Sequence, residues 1–318
     1  MTQRPSKSLS TPVKTLLKGF IVVCILFTSG LAALNVTPGL AILPFAWRIE
    51  KSPYCTVWQA VTDGKVKIAQ ADIEKNLLAK SHPLRTDGAY KLWTTPKGDF
   101  WVPDTRDEIL AILLAQQDRK IYGTADTGGV RKGDIVLDGG AHIGLYVKTA
   151  LEAGAEKVIA IEPSPEALEC LRRNFEKEIA AGKVLVYPKG IWDEEKRLLF
   201  YANGNGAAGD SFLTKGAGAR VVADIPVTTI DKLVKELNLP RVDLIKADIK
   251  GAGTRMIHGA AETIRAYHPR MVISVEEAPE DPAEIYNAVM KLAPQYRFRA
   301  GPCMFTGDEL RNDTIFFQ

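Results

Sequence analysis

The chain has 318 residues, of which 46% are hydrophobic and 25% are charged, and its formal net charge is +3 at pH 7. This length allows one core of roughly 200 residues and a smaller additional region. Basic residues are mixed with acidic ones, and no basic run is interleaved with aromatic residues, so we do not expect nucleic acid as a partner.

The N-terminus contains an uncharged stretch, residues 19–47, which follows four basic residues. About 20 apolar residues in a helix cross the ~30 Å core of a bilayer, so Leu16 to Val36 is long enough to span it. We predict that residues 1–47 are a basic tail and a membrane-anchoring segment, an N-terminal membrane helix whose partner is the lipid bilayer. A secretory signal peptide, which has the same basic start and apolar middle, is the alternative.

Residues 48–103 are predicted to form a small connector region with structure of its own. A helical pattern covers residues 57–79 and is broken at Asp63-Gly64, a dipeptide that is common in turns. The stretch YKLWTTPKGDFWVP predicts a β-hairpin around a Pro-Lys-Gly-Asp turn. Its aromatic side chains either line a substrate entrance or pack the hairpin against the main sheet.

Residues 104–318 alternate between apolar strand patterns and helical patterns, which predicts an α/β fold with parallel strands and right-handed crossovers. The predicted strands are IVLD, KVIAIE, KVLVY, VDLIKAD and RMVISVE, with YRFRA and DTIFF as a terminal hairpin. Asp138, Glu162 and Asp248 follow strands at their carboxyl ends, where the ligand crevice of such a sheet lies. The glycine-rich residues 203–219 are interpreted as a loop over this crevice, either a lid or a plain surface loop.

The four cysteines, Cys24, Cys55, Cys170 and Cys303, are isolated from one another in the sequence. No CxxC or Cys/His spacing indicates a metal site. The sequence therefore predicts free thiols and no metal, and it favours a reducing compartment for the main domain.

A glycine-rich turn follows the first strand of the main domain, in GDIVLDGGAHIG. Gly140 and Gly144 let a backbone approach a ligand closely, and a second strand ends at the acidic Glu162 about 20 residues later. The turn reads Asp-x-Gly-x-x-x-Gly from Asp138, unlike the GxGxxG of dinucleotide folds. This arrangement is typical of a nucleotide-type cofactor site.

The turn resembles motif I of S-adenosylmethionine-dependent methyltransferases, and a longer resemblance runs from Phe100 to about Phe298. Five stretches occur in the order typical of the FkbM family of methyltransferases: GDIVLDGGAHIG, GAEKVIAIEPSPEALECLRRNF, IPVTTIDKL, RVDLIKADIKGAGTRMIHGA and HPRMVISVEE. The resemblance implies a Rossmann-like seven-stranded methyltransferase sheet with S-adenosylmethionine as cofactor. It also implies O-methylation, a reaction associated with this family in natural-product and glycan pathways.

The chain departs from the family pattern at three positions. Family members usually have asparagine where His142 stands, and D-[VI]-E-G-A-E where residues 248–253 read DIKGAG. Two carboxylates are thus replaced by Lys250 and Gly253. A lysine ~6 Å from the cofactor's sulfonium would repel it by roughly 3 kcal/mol at an effective dielectric near 20. Lys250 avoids this penalty if it turns to solvent or pairs with an anionic substrate.

The resemblance assigns cofactor-binding roles to Asp138, Gly140, Gly144 and Glu162, with the Glu162 carboxylate accepting both ribose hydroxyls. Asp193, after the third strand, is a further cofactor-binding candidate that would approach the adenine amine. The alternative for Asp193 is an acid on a surface loop.

The catalytic candidates are Asp248 and His142, each as a base for an acceptor hydroxyl. Asp248 stands after the fourth strand, and its alternative role is to cap the following helix. An imidazole takes up protons near neutral pH, which suits a base; the alternative for His142, and the more common outcome for such a histidine, is to pack beside the glycine turn.

Two functions follow from these observations. The first is a membrane-associated S-adenosylmethionine-dependent O-methyltransferase acting on a small-molecule, glycan or lipid substrate, with its catalytic domain on the cytoplasmic side where the methyl donor is made. The basic N-terminus favours a domain outside the cytoplasm after one full span, unless a hairpin at Pro38-Gly39 returns it. The second is a catalytically inactive methyltransferase-like subunit or scaffold of a membrane protein complex.

Overall fold

A computed structural model gives the fold of residues 50–51, 53–104, 109–202, 211–213, 220–276, 282–306 and 309–318. The described helices are α1 (Val57–Ala79), α2 (Ile109–Asp118), α3 (Leu145–Glu152), α4 (Pro165–Asn174), α5 (Glu176–Ala180), α6 (Ile230–Glu236), α7 (Gly253–His258), α8 (Ala261–Tyr267) and α9 (Pro282–Leu292). The described strands are β1 (Glu50–Lys51), β2 (His82–Asp87), β3 (Tyr90–Thr95), β4 (Gly98–Pro103), β5 (Ile135–Gly139), β6 (Lys157–Ile161), β7 (Val184–Tyr187), β8 (Gly190–Ile191), β9 (Lys196–Ala202), β10 (Arg220–Thr228), β11 (Leu244–Ala247), β12 (Arg270–Ser274), β13 (Phe298–Ala300), β14 (Cys303–Thr306), β15 (Glu309–Asn312) and β16 (Thr314–Phe317).

The main sheet of the described residues has seven strands in the order β13-β16-β12-β11-β5-β6-β7. Strands β12, β11, β5, β6 and β7 are parallel, and β16 runs antiparallel to both β12 and β13. This confirms the predicted α/β fold with a seven-stranded sheet. The predicted terminal hairpin differs in one respect, because β14 and β15 stand between β13 and β16 in the chain and pair with each other.

The central strands are buried on both faces because helices cover both sides of the sheet. Leu137 of β5 lies in the core cluster that contains residues of α6, α7, α8 and α9, whereas Val136 lies in the cluster with residues of α3 and α4. Every residue of β5 is buried. Burial on both faces is the reason that these strands appear in the sequence as continuous apolar runs rather than as alternating patterns.

The chain order creates a crevice beside β5. The chain proceeds from β5 to β6 and β7 on one side, and β11 and β12 then fill the other side. Ligands of open α/β sheets bind at such a reversal of strand order, outside the carboxyl ends of the strands. The carboxyl ends of β5 and β11 therefore frame the position where a ligand site is expected.

The connector region contains one long helix and a three-stranded sheet. Thr56 is the N-cap of helix α1, and its hydroxyl accepts a hydrogen bond from the N–H of Gln59. The helix continues through Asp63-Gly64 without the predicted break. A single glycine within a helix costs about 1 kcal/mol, which tertiary packing can offset. Strands β3 and β4 form the predicted hairpin, and β2 adds a third strand that the sequence analysis missed.

A disulfide corrects the prediction of free thiols at two positions. Cys55 and Cys303 are bonded across 248 sequence positions, with Cα atoms 5.7 Å apart, and this bond joins the start of α1 to β14. Asp63 of α1 accepts a hydrogen bond from the backbone N–H of Cys303 at 2.9 Å. Cys170 is a buried free thiol, whereas Cys24 lies outside the described residues. Because disulfides persist in oxidising compartments, the preference for a reducing one loses its basis.

The prediction of a membrane-anchored chain is contradicted by the helices. None of the helices in the described part of the chain is both long and apolar enough to cross a membrane. The longest, α1, carries charged residues such as Asp72, Glu74 and Lys75. The stretch Leu16 to Val36, on which the prediction rested, lies outside the described residues.

A small second sheet of order β8-β10-β9 lies near the crevice. Strands β9 and β10 pair as an antiparallel ribbon, and β10 also pairs in parallel with β8, so the ribbon is joined to the end of β7. Of the predicted loop at residues 203–219, the structure describes residues 211–213 alone. The rest of that prediction lies outside the described residues.

Candidate functional site

A cavity of about 1000 Å³, measured with its mouth, lies at the carboxyl ends of β5, β6 and β11. The apolar part of its wall includes Leu113 of α2 and Phe200 of β9, so the small second sheet closes one side. The polar lining residues are Gln116, Gln117, Tyr122, His142, Tyr146, Glu162, Ser164, Lys189, Ser211, Lys246, Asp248 and Lys250. The cavity therefore combines apolar walls with a limited set of polar groups, as ligand sites do.

The two glycines of the turn are required by close packing within the protein. Gly140 has φ +72°, and a Cβ at this position would overlap the carbonyl oxygen of Asp248. Gly144 has φ +94°, and its Cβ would overlap the ring of Phe175 and the side chain of Leu171. The glycines thus let the turn lie against the end of β11 on one side and against α4 on the other. Gly140 lines the cavity, whereas Gly144 supports the turn from behind.

Glu162 is the acid that the sequence placed after β6, and it lies in the cavity wall with 5% of its surface exposed. Its Oε2 accepts a hydrogen bond from the backbone N–H of His142 at 2.7 Å, and its Oε1 accepts one from the N–H of Ser164 at 2.8 Å. Burial raises the pKa of Glu162 to about 7, although these two donors and Lys246 act in the opposite direction. The carboxylate is therefore fixed in place and desolvated.

Asp138 and Lys246 form a buried ion pair at the inner end of the cavity. The Nζ of Lys246 lies 2.9 Å from Oδ1 of Asp138, and both side chains are almost completely buried. The residues are direct neighbours on β5 and β11. Lys246 also donates to the carbonyl oxygen of Gly140 at 3.0 Å, and its ammonium lies 5.0 Å from the ring centre of Tyr122. The burial raises the pKa of Asp138, and the charge of Lys246 opposes this effect.

Asp248 lies between two partners that hold both of its oxygens. The hydroxyl of Tyr122 donates to Oδ2 at 3.0 Å, and Nζ of Lys250 lies 3.1 Å from Oδ1. Burial by itself would raise the pKa of Asp248, but Lys250, Lys246 and the hydrogen bonds outweigh it and lower the pKa to about 2. Asp248 is therefore a stable carboxylate, and the charge of Lys250 is compensated inside the cavity.

His142 lines the cavity beside Glu162 with a half-buried side chain. Its backbone has φ +50°, a left-handed conformation that is uncommon for residues other than glycine. This conformation directs the N–H of His142 to Glu162, so the main chain of His142 has a clear structural role. The residue thus contributes a backbone donor to the site as well as an imidazole on its wall.

Asp193 does not lie with the other predicted residues. It is absent from the cavity wall, and its Oδ2 pairs with Nη1 of Arg255 at 2.5 Å. With 18% of its side chain exposed, Asp193 is not a fully exposed surface acid either. The six other predicted residues lie together in or directly behind the cavity wall.

Three functional candidates were missed by sequence reasoning: Tyr122, Tyr146 and Lys246. A charged residue in the middle of the apolar strand VDLIKAD was the available signal for Lys246, since a buried charge needs a partner. The tyrosines gave no comparable signal. The Tyr146 hydroxyl is buried at the cavity and has no hydrogen-bond partner among the described residues.

Comparison with known protein families identifies one family that this chain matches. Residues 138–300 match the methyltransferase FkbM domain. The chain belongs to the FkbM methyltransferase family. This membership supports a methyltransferase function. The matched region of this FkbM chain begins at Asp138 and includes Glu162, Lys246 and Asp248, whereas Tyr122 precedes it.

Solved structures give weaker similarities. The FkbM chain is similar to a methyltransferase FkbM from Methylobacillus flagellatus KT, with 16% identity, a TM-score of 0.44, and coverage of 81% of this chain and 60% of that chain. It is also similar to a precorrin-6y C5,15-methyltransferase from Geobacter metallireducens GS-15, with 12% identity, a TM-score of 0.32, and coverage of 59% of this chain and 78% of that chain. The chain thus spans about 60% of the length of the Methylobacillus protein. No curated protein matches it.

The raised pKa of Glu162 predicts a specific pH dependence of stability. Because the folded pKa is about 7 and the ordinary value is 4.5, ionising Glu162 costs the folded state free energy as pH rises from about 4.5 to 7. In Glu162→Gln this loss is absent. The free energy of unfolding of the wild type relative to the variant should fall by up to about 3 kcal/mol between pH 4 and pH 8.

Urea unfolding of both full-length proteins across this pH range measures the difference. Asp313, whose pKa burial raises to about 6, is present in both proteins and cancels. Glu152→Gln, on the exposed side of α3, is the matched control, and its free energy of unfolding should follow that of the wild type across the pH range. Parallel stability curves for wild type and Glu162→Gln would contradict the assignment of a desolvated carboxylate.

Proposed function

We propose that this FkbM-family protein binds S-adenosylmethionine in the cavity at the ends of β5, β6 and β11, and that it transfers a methyl group to a hydroxyl of a small-molecule, glycan or lipid acceptor. The observation that carries the proposal is the buried carboxylate of Glu162, fixed by the N–H groups of His142 and Ser164. This carboxylate lines the cavity and has acceptor capacity left for a ligand there.

The residues of the cavity fit this cofactor. Each oxygen of Glu162 accepts one backbone N–H, and a carboxylate has about four acceptor positions, so both oxygens retain capacity for a ribose hydroxyl. Gly140 lines the same cavity, within the turn that would hold the methionine half, and Asp138 lies behind the wall, paired with Lys246. S-adenosylmethionine supplies a methyl group on a sulfonium that is electrophilic enough for direct transfer.

The ion pair of Asp248 and Lys250 supports the proposal on charge grounds. A lone lysine in the cavity would repel the sulfonium by roughly 3 kcal/mol at ~6 Å. The negative charge of Asp248, whose Oδ1 lies 3.1 Å from Lys250 Nζ, offsets the positive charge of the lysine. The departure of Lys250 from the family pattern is therefore compatible with binding of a cationic cofactor.

The protein's own part in the reaction is to orient the acceptor and to exclude water. Asp248 is a weak base because its pKa lies near 2, far below the working pH at which a general base is most effective. His142 is the remaining predicted base on the cavity wall, and we assign it that role. Asp248 would instead hold the ammonium of Lys250 and the hydroxyl of Tyr122 in fixed positions.

A second candidate function is a methyltransferase-like subunit or scaffold without catalysis. The observation that favours it is the same engagement of Asp248, since the strongest carboxylate candidate for a base is already occupied by Tyr122 and Lys250. The two functions differ in whether a cofactor binds and whether an acceptor is methylated.

Cofactor binding separates the two functions. Isothermal titration of S-adenosylmethionine into the full-length protein should give a dissociation constant in the micromolar range, on the order of −8 kcal/mol. Glu162→Ala should weaken binding at least about 100-fold, because the ribose hydroxyls and the N–H groups of His142 and Ser164 lose their common acceptor. Glu152→Ala, on the exposed surface of α3, should bind like the wild type. A folded wild-type protein without binding would favour the scaffold function.

Lys250→Met tests the charge balance of the cavity. Removing the ammonium leaves the carboxylate of Asp248 without its ion-pair partner, so a cationic cofactor should bind several-fold more tightly. Lys148→Met changes the net charge equally but lies on α3 beside Glu152, outside the cavity wall, and should leave the affinity unchanged. Titration at pH 7.5 measures both variants. Equal or weaker binding by Lys250→Met would refute the proposal that the charges of Lys250 and Asp248 act on a bound cation.

A further inference from the structure

Helix α4 connects the two backbone donors that hold Glu162. The helix has Ser164 as its N-cap, and the N–H of Ser164 donates to Oε1 of Glu162. The helix ends at Asn174, whose side chain contacts the glycine turn next to the second donor, His142. Both hydrogen bonds to the carboxylate therefore depend on where one short helix lies.

The amide of Asn174 joins three segments. Its Nδ2 donates to the carbonyl oxygen of Ile143 at 2.9 Å and to that of Trp101 at 3.2 Å. Its Oδ1 accepts the backbone N–H of Trp101 at 2.7 Å. Asn174 thus fixes β4 of the three-stranded sheet and the glycine turn at one point.

The three-stranded sheet is held on α4 by its side chains as well. Two guanidinium groups contact the indole of Trp101: that of Arg85 lies 5.0 Å and that of Arg173 4.8 Å from its ring centre. Arg173 also pairs with Asp87 of β2 at 3.0 Å. None of the hairpin aromatics contributes to the described cavity wall, so these aromatics pack the sheet rather than line a substrate entrance.

The turn requires such support because of its backbone. His142 has φ +50°, and residues in this conformation persist only when their surroundings fix them. The contact from Asn174 to Ile143 holds the residue that follows His142. Loss of this contact would allow His142 to relax and its N–H to leave Oε2 of Glu162.

We propose that Asn174 is a positioning residue for the cofactor site: it couples the three-stranded sheet to the His142 turn and thereby keeps the His142 N–H on the Glu162 carboxylate. The inference rests on the proposed function only in that Glu162 is taken to bind the cofactor. Asn174 itself does not line the cavity.

Other charged groups that act on Glu162 remain in place when Asn174 is changed. Asp138 on β5 and Lys246 on β11 are the charges that influence its ionisation. The imidazole of His142 and the ammonium of Lys189 line the same cavity. A change in the proton affinity of Glu162 after substitution of Asn174 therefore reports on the backbone hydrogen bonds to its carboxylate.

The test follows the side-chain carboxyl carbon of Glu162 by NMR in full-length protein labelled with ¹³C-glutamate, without any ligand. The signal is assigned by its loss in Glu162→Gln. Asn174→Ala should raise the titration midpoint of Glu162, which corresponds to about a threefold to tenfold higher proton affinity, because one N–H donor to the carboxylate is lost. Asn174→Ser, whose short hydroxyl cannot bridge both carbonyl oxygens, should give the same shift.

Arg85→Ala is the matched control, since it removes a contact to Trp101 but leaves the bond from Asn174 to Ile143. It should lower the stability of the sheet without shifting the midpoint. An unchanged midpoint in both Asn174 variants, or an equal shift in Arg85→Ala, would overturn the inference. Titration with S-adenosylmethionine is a separate measurement. Failure of the wild type to bind would contradict the proposed function, whereas the ligand-free titration of Glu162 would still decide the role of Asn174.

Discussion

The burial of one carboxylate, that of Glu162 at the carboxyl end of β6, determines how the surrounding segments must lie. Glu162 has 5% of its surface exposed, and its two oxygens accept N–H groups from His142 and Ser164. A buried carboxylate without partners would be unstable as an ion, so the turn after β5 and the start of α4 must both lie close to the end of β6. The positive φ of His142 follows from this requirement, since its N–H donates to Glu162.

The cavity beside Glu162 contains two compensated ion pairs. Asp138 pairs with Lys246, and Asp248 pairs with Lys250, in each case across the junction of β5 and β11 or just beyond it. Buried pairs of this kind contribute little net stability, but breaking one by removing a partner is costly. Three of the four charged residues, Lys246, Asp248 and Lys250, line the cavity, which agrees with a site that binds a charged molecule.

The sequence was sufficient for the main sheet and for the location of the cavity, because these depend on local signals. Apolar runs predicted the strands, and the glycine turn and Glu162 predicted the position of the cavity. The disulfide of Cys55 with Cys303 was not predictable, since only the tertiary fold brings together residues 248 positions apart. Tyr122 and Asn174 were missed for the same reason: their roles come from contacts with Asp248 and with Ile143, which no local pattern indicates.

The central claim is that Glu162 binds the ribose of an adenosyl cofactor. A crystal structure of the full-length protein with S-adenosylhomocysteine, the demethylated product, tests it most directly. The account predicts both ribose hydroxyls within hydrogen-bond distance of the Glu162 oxygens, with the hydrogen bonds from His142 and Ser164 preserved. A nucleoside bound elsewhere, or with its ribose turned away from Glu162, would contradict it.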